Sequence, residues 1–263
     1  MSVEKFNAFG KELENVLLLR TAPLAVKFLE KEEDIPKEAI RPKKDRSEHL
    51  ALCQAFALTR RRRETIAMLA EDHWCWAPLL GFGLVEPHEY FMSGKAVFPF
   101  MVKDLEKAKK LAEAFPRIKQ GKYIGIVSAP LSNAGFEPDL VLIYSNTSQL
   151  RTILLSVKYT EGKLVYSEFD PIDSCVYSTV PVLLNREYRI TLPDPGEYER
   201  ALSGEDEIIF SLPIEKVEDL VMGLRNFGKT GLGYTQITQV MRPDFPRPEF
   251  YKKMFRDWGL EEE

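Results

Sequence analysis

Phe6, Phe9, Leu13, Val16 and Leu17 recur at the three-four spacing of an amphipathic helix, which the pattern predicts over Glu4 to Leu19. Directly after it, PLAVKFLE from Pro23 sets its apolar residues densely and partly in alternation, as a short strand does. The charge- and proline-rich IPKEAIRPKKDRSEH then reads as a surface connection. Ser47 is placed to cap a helix over EHLALCQAFALT, which would turn Leu50, Cys53 and Ala57 to one face and point Cys53 inward. TIAML has the β-branched, apolar character of a strand. Glu71 and Asp72 offer a cap for a helix beginning near His73, with Cys75 in its first turn.

The second half alternates more quickly. GFGLVEP and SGKAVFPF are loop-like, and Val102 to Phe115 reads as a helix. YIGIVSAP and PDLVLIYS are strands joined by a loop through Leu131 to Glu137, and Asn146 with Gln149 forms a capping-box start for a helix reaching Val157. KLVYSEF is a further strand. EYRITLP and DEIIFSLP have no helix between them long enough for a parallel crossover, so they are expected to pair antiparallel. PIEKVEDLVMGL repeats apolar residues at helical spacing, with Pro213 in a first-turn position, and the tail from Thr230 carries prolines 243, 246 and 248 before a helical turn or two around Tyr251 to Trp258. These elements add up to an α+β fold, a mixed, largely antiparallel sheet with packed helices. A single domain over 1–263 is the expectation, subdivided at most into an N-terminal helical part, 1–115, and a tail, 230–263.

Composition narrows the partners. With 44% hydrophobic and 29% charged residues the chain falls among ordinary globular proteins, and a net charge of -4 lacks the basic excess that a dedicated nucleic-acid binder needs to neutralise phosphates. No apolar run approaches the roughly 20 residues of a membrane helix, and the N-terminus carries charges throughout, unlike an export signal. Three widely spaced cysteines suit free thiols in the cytoplasm better than a disulfide framework. The expected partner is a small molecule, without nucleic acid or membrane; a homo-oligomer is left open.

The candidate chemistry concentrates between Cys53 and Gly83. Two of the three cysteines, two of the three tryptophans, His73 and the run Arg60 to Arg63 fall there. Successive helical residues are about 100° apart, so four arginines cannot share one solvent face; either the helix ends within the run or one of them faces something anionic. A thiol in the first turn of a helix, near cations, has a depressed pKa, which marks Cys75, and thiolates hold soft metals and iron–sulfur clusters. Cys53, Cys75 and Cys175 are therefore the candidate metal ligands, and Cys53, Cys75, His73, Trp74 and Arg60 the candidate ligand-binding residues. Against this stands the absence of a close C-x-x-C pair, and a lone cysteine on an apolar face is more often a core residue. GLRNFGKT, Gly223 to Thr230, matches the phosphate-loop pattern letter for letter, but a helix rather than a strand precedes it, and a helix C-cap at Gly228 is the plainer account. No serine-hydrolase elbow, H-E-x-x-H pair or dinucleotide fingerprint is present.

PLAVKF, the Cys53 helix, DHWCWAPLLGFG, SAPL at 128 to 131, EPDLVLIY at 137 to 144, DEIIFSLP and the GL at 223 and 224 resemble the DUF169 family, a group of archaea and anaerobic bacteria. The resemblance runs from Leu18 to Leu224. It implies no established activity, only a shared site at the positions of Cys53 and Cys75. The expectation is a cysteine-lined pocket binding a metal centre, an iron–sulfur cluster or a small anionic ligand. The alternatives are a non-catalytic binding or assembly module with its thiols in the core, and a phosphate-loop nucleotide hydrolase.

Overall fold

The computed structural model describes residues 2–230, 232–234 and 248–260, so prolines 243 and 246 of the tail lie outside the described residues. The chain opens with helix α1 (Val3–Leu17), strand β1 (Leu24–Leu29), the short helix α2 (Pro42–Arg46), α3 (Leu52–Arg62) and β2 (Ile66–Leu69). Next come α4 (Trp76–Gly81), α5 (Glu89–Met92) and α6 (Leu105–Ala114), then β3 (Gly125–Pro130), β4 (Leu140–Ser145) and α7 (Thr147–Glu161). The remainder is α8 (Ser174–Tyr177), α9 (Val180–Asn185), β5 (Arg189–Thr191), α10 (Pro195–Arg200), β6 (Ile208–Pro213), α11 (Val217–Thr230) and α12 (Glu249–Asp257).

The six strands form one sheet in the order β2-β3-β1-β4-β6-β5, and every neighbouring pair is antiparallel. The protein is thus α+β, and the expected mixing shrinks to two isolated parallel bridges, Ile40 with Ile66 and Leu50 with His73. β1 lies between β3 and β4, so the two strands that follow one another after residue 125 do not touch as a hairpin. Segment 1–115 supplies β1 and β2 to this common sheet.

β2, β3 and β4 are buried at every position because helices cover both faces. Ala25 and Leu29 of β1, with Val127, Val141 and Phe210, face α1, α7 and α11. Leu24, Val26 and Phe28, with Ile126, Leu142 and Ile209, face α3, α4, α8 and α9. The candidate site belongs to this second face.

Local pairing explains where boundaries depart from the sequence pattern. Ser47 does not cap α3; it ends α2 in a left-handed conformation, and α3 begins at Leu52 with the Gln54 carbonyl accepting the Ala51 amide at 2.9 Å. Leu50 is held extended, its amide donating to Asp72 O at 3.0 Å and its carbonyl accepting from the Trp74 amide at 3.2 Å. The same two bonds keep His73 and Trp74 out of a helix, so α4 starts only at Trp76. KLVYSEF is not a strand: the Ser167 hydroxyl donates to Ile190 O at 2.6 Å and accepts from its amide at 3.0 Å, taking the place a ladder partner would fill beside β5. Asn146 and Gln149 do form the reciprocal capping box, each bond 2.8 Å.

Candidate functional site

Three elements bring the thiols into one neighbourhood. Cys53, on α3, packs with Ala51, Ala57 and Ala201, and half-buried Cys75 packs both against this group and against the core cluster that holds Cys175 of α8. α4 and α8 come close because Gly81 lies against Val176: a Cβ on Gly81 would stand 2.7 Å from the valine side chain. The Arg200 guanidinium, at the end of α10, reaches the Cys53 thiol and lies 5.0 Å from the centre of the Trp74 ring. Trp74 in turn donates from its indole nitrogen to Gln54 at 3.2 Å.

The expected thiolate at Cys75 is overturned. Cys75 is the residue before α4 rather than within its first turn, and burial raises its pKa, with the Ala77 amide and Arg200 only partly opposing. Burial likewise pushes the Cys53 thiol up to about 12 and raises that of Cys175 well above its ordinary value. All three sulfurs are therefore neutral thiols at pH 7.

Arg60 answers the question posed by the arginine run. α3 ends at Arg62, and Arg60, fully buried, makes a two-pronged pair with Glu207 at 2.9 and 3.1 Å while its guanidinium stacks 3.9 Å from the Tyr144 ring centre. The anion it faces is internal, so it does not reach the pocket as a reader of ligand. Its second role is to anchor a chain of buried polar groups. Tyr144 donates its hydroxyl to Glu197 at 2.9 Å and Ser203 donates to the same carboxyl at 2.8 Å, while Asp194 accepts from the Ser174 amide at 2.9 Å and the one proton of the Ser174 hydroxyl lies between Asp194 at 3.0 Å and Glu197 at 3.1 Å. This network fixes α8, which carries Cys175, against α10, which carries Arg200.

His73 is buried, and both of its ring nitrogens lack a hydrogen-bond partner. Burial lowers its pKa to about 4, against the weaker pull of Asp72, so the imidazole is neutral. The turn before it is pinned by Asp72, which accepts from Arg41 Nε at 2.8 Å and from the amides of Lys43 and Leu69. His49 is exposed, and His88 starts α5 by accepting the Tyr90 amide at 3.1 Å on Nδ1.

Beyond Trp76, the residue after Cys75, opens an aromatic cleft that the sequence pattern did not mark; none of the three cysteines is among its lining residues, so it is not the expected cysteine-lined pocket. Its outer part, about 470 Å³, is lined by Trp76, Leu79, Tyr90, Phe91, Phe100 and Met101 among others. A narrow inner recess of about 40 Å³ shares Trp76, Phe91, Val97 and Met101 with it and ends at Phe115, Tyr177, Asp170 and Asp173. The Trp76 ring centre stands 4.9 Å from Phe91 and 5.6 Å from Phe115, which itself meets Tyr177 edge-on at 6.0 Å. Asp173 adopts a left-handed backbone conformation, φ 58°, at the head of α8. Burial first, then the negative charges of Asp194 and Asp170, push its carboxyl up to about 7. DPIDSCVYS, with two acids around the third cysteine, was the available signal for this end of the site; Arg200 and the aromatic partners of Trp76 had none, since their contacts form only in the fold.

Two of the sequence-level candidates do not take shape. Among the described residues no group of three His, Cys, Asp or Glu side chains is arranged to hold a metal ion, so the present arrangement of Cys53, Cys75 and Cys175 does not fit a metal centre or cluster. Gly223 to Thr230 lies inside α11, where the backbone amides already serve the helix and cannot converge on a phosphate; nor does Gly228 end the helix. Gly223 instead allows α7 to approach, since a Cβ there would stand 2.7 Å from Ser156.

Comparison with known proteins agrees with the resemblance seen in the sequence. The DUF169 family model, described as Uncharacterised ArCR, matches residues 12–223. The chain is also similar to the uncharacterized protein MJ0308 of Methanocaldococcus jannaschii, 25% identical over 230 residues that cover 86% of this chain and 97% of that protein. No solved structure matches it. Among the described residues no helix is long and apolar enough to cross a membrane.

Proposed function

The chain belongs to the DUF169 family, and we propose that it is a small-molecule-binding protein whose ligand lies in the aromatic cleft with one end beside Cys75. One observation carries this reading: Trp76, the residue directly after Cys75, walls both the outer cleft and the inner recess. The cleft has the size and apolar lining of a small-molecule site, with a few polar groups gathered at its inner end. Trp76, Tyr90 and Phe100 leave large aromatic faces in solvent around this one cleft, and apolar exposure gathered in a groove is a mark of ligand-binding surfaces. Free thiols suit a reducing compartment, and we place the protein in the cytoplasm on that ground.

Saturation-transfer NMR with a fragment library tests the reading. Fragments are expected to bind the whole chain and to lose contact in Trp76→Ala, whose half-exposed ring can be removed without opening the core. An absence of hits, or hits indifferent to that change, overturns it.

A second reading, an assembly module whose thiols are core filler, draws on the burial of Cys53 and Cys175 and on the raised pKa of all three sulfurs. Thiol labelling of the folded chain separates the two. Modification of Cys75 that is slowed by a bound fragment supports the cleft, whereas uniform protection of all three cysteines supports the module.

A further inference from the structure

We infer that the cleft selects small molecules with a flat or linear apolar body and a cationic nitrogen, the nitrogen facing Asp173 and the body lying against Trp76, Phe91 and Phe115. The inference rests on the reading of the cleft as a ligand site and names the chemistry of its occupant. Besides the phenols of Tyr90 and Tyr177, the ionisable side chains lining the two adjoining spaces are Glu86 and His88 in the outer part and Asp170 and Asp173 in the recess; no lysine or arginine is among the described lining residues. A carboxylate entering the recess would meet acids of its own sign; the charge of Arg189 reaches Tyr177 from outside the lining, but that side chain lies against Glu168, whose carbonyl accepts from it at 2.7 Å. The groups whose charge reaches Asp173 from neighbouring elements, Asp194 from the head of α10 and Asp170 from the preceding loop, are acidic as well. Arg200 is turned toward Cys53 and Trp74.

The walls favour the same sign. The face of an aromatic ring carries negative potential, and a cation set among several such rings is held by each of them. Trp76, Phe91, Phe115 and Tyr177 supply four rings around the passage to Asp173, with adjacent centres 4.9 to 6.0 Å apart. An amine therefore finds a carboxyl at the end of the recess and ring faces along the way, while its hydrocarbon part displaces water from the outer cleft.

The test compares 4-phenylbutylamine with 4-phenylbutyrate, alike in body and opposite in charge, by titration calorimetry on the whole chain at pH 8. The amine is expected to bind at least about tenfold more tightly, a difference typical of one charge-assisted hydrogen bond. In Asp173→Asn this preference is expected to fall to within about threefold, while Trp76→Ala weakens both probes together. Asparagine tolerates the left-handed conformation at 173 nearly as well as aspartate, so the variant keeps the local backbone. Equal or tighter binding of the carboxylate, or a preference that survives Asp173→Asn, overturns the inference and leaves the ligand site standing. If neither probe binds and no fragment senses Trp76, the site itself falls along with it.

Discussion

At the scale of the residue, a half-buried carboxyl and a buried imidazole pull stability in opposite directions with pH. The Asp173 carboxyl is held near 7 in the fold against an ordinary 3.8, so between those values the folded chain binds the proton more tightly than the unfolded one. Folding stability is therefore fullest below pH 4 as far as this group is concerned, and declines as pH rises toward 7. Asp173→Asn is expected to stabilise the protein above pH 7, by roughly 4 kcal/mol as an upper limit, and to change little below pH 4. His73 behaves in the reverse sense. Its folded value of about 4 lies below the ordinary 6.5, so the unfolded chain takes the proton first and stability is lost as pH falls from 6.5 toward 4, by up to roughly 3 kcal/mol. Replacing His73 with Leu is expected to flatten that acid limb; urea melts of both variants from pH 4 to 8 read the two slopes directly. The sequence showed that His73 and Cys75 were unusual but not their protonation, because burial decides it. Cys75 was expected as an activated thiolate and is a neutral thiol, since desolvation outweighs the favourable amide and arginine beside it.

At the scale of the element, most of the helices and strands were legible from periodicity, and their ends were not. α1, α7 and α11 follow apolar stripes that need no tertiary information, and the capping box at Asn146 was legible because its two partners, Asn146 and Gln149, lie three residues apart. α3 and α4 start late because Leu50 pairs with a backbone more than twenty residues away, which no local pattern encodes. KLVYSEF alternates like a strand, yet a serine hydroxyl occupies the place of its ladder partner. The GLRNFGKT stretch shows how a letter match misleads: its first glycine answers to a neighbouring helix rather than to a nucleotide. Gly223→Ala is therefore expected to cost about 1–3 kcal/mol in denaturant unfolding, because a methyl group must displace Ser156. Lys229→Ala, at the end of the same helix, is expected to stay within about 0.5 kcal/mol and to leave any small-molecule binding unchanged. A large effect of Lys229→Ala on binding would return the phosphate-loop reading to consideration.

At the scale of the whole molecule, the class of fold was legible but the strand order was not. Adjacent strands in a chain commonly pair, and β3 and β4 would have made a natural hairpin. Here their neighbour is β1, whose Leu24 faces both Pro130 and Leu142. The candidate site shows the same limit: the stretch from Cys53 to Gly83 was identified as its centre, while Asp173 and Arg200 lie 90 and 117 residues beyond the end of that stretch and could be assigned only once the second face of the sheet had been assembled. The central berth of β1 also bears on how the protein is made. A polypeptide emerging from a ribosome delivers this strand first and its two flanking partners only third and fourth of the six, so its apolar edges wait unpaired through the synthesis of about a hundred residues. For that interval β1 has neither of its sheet neighbours, and the arrival of β3 and β4 supplies both ladders at once.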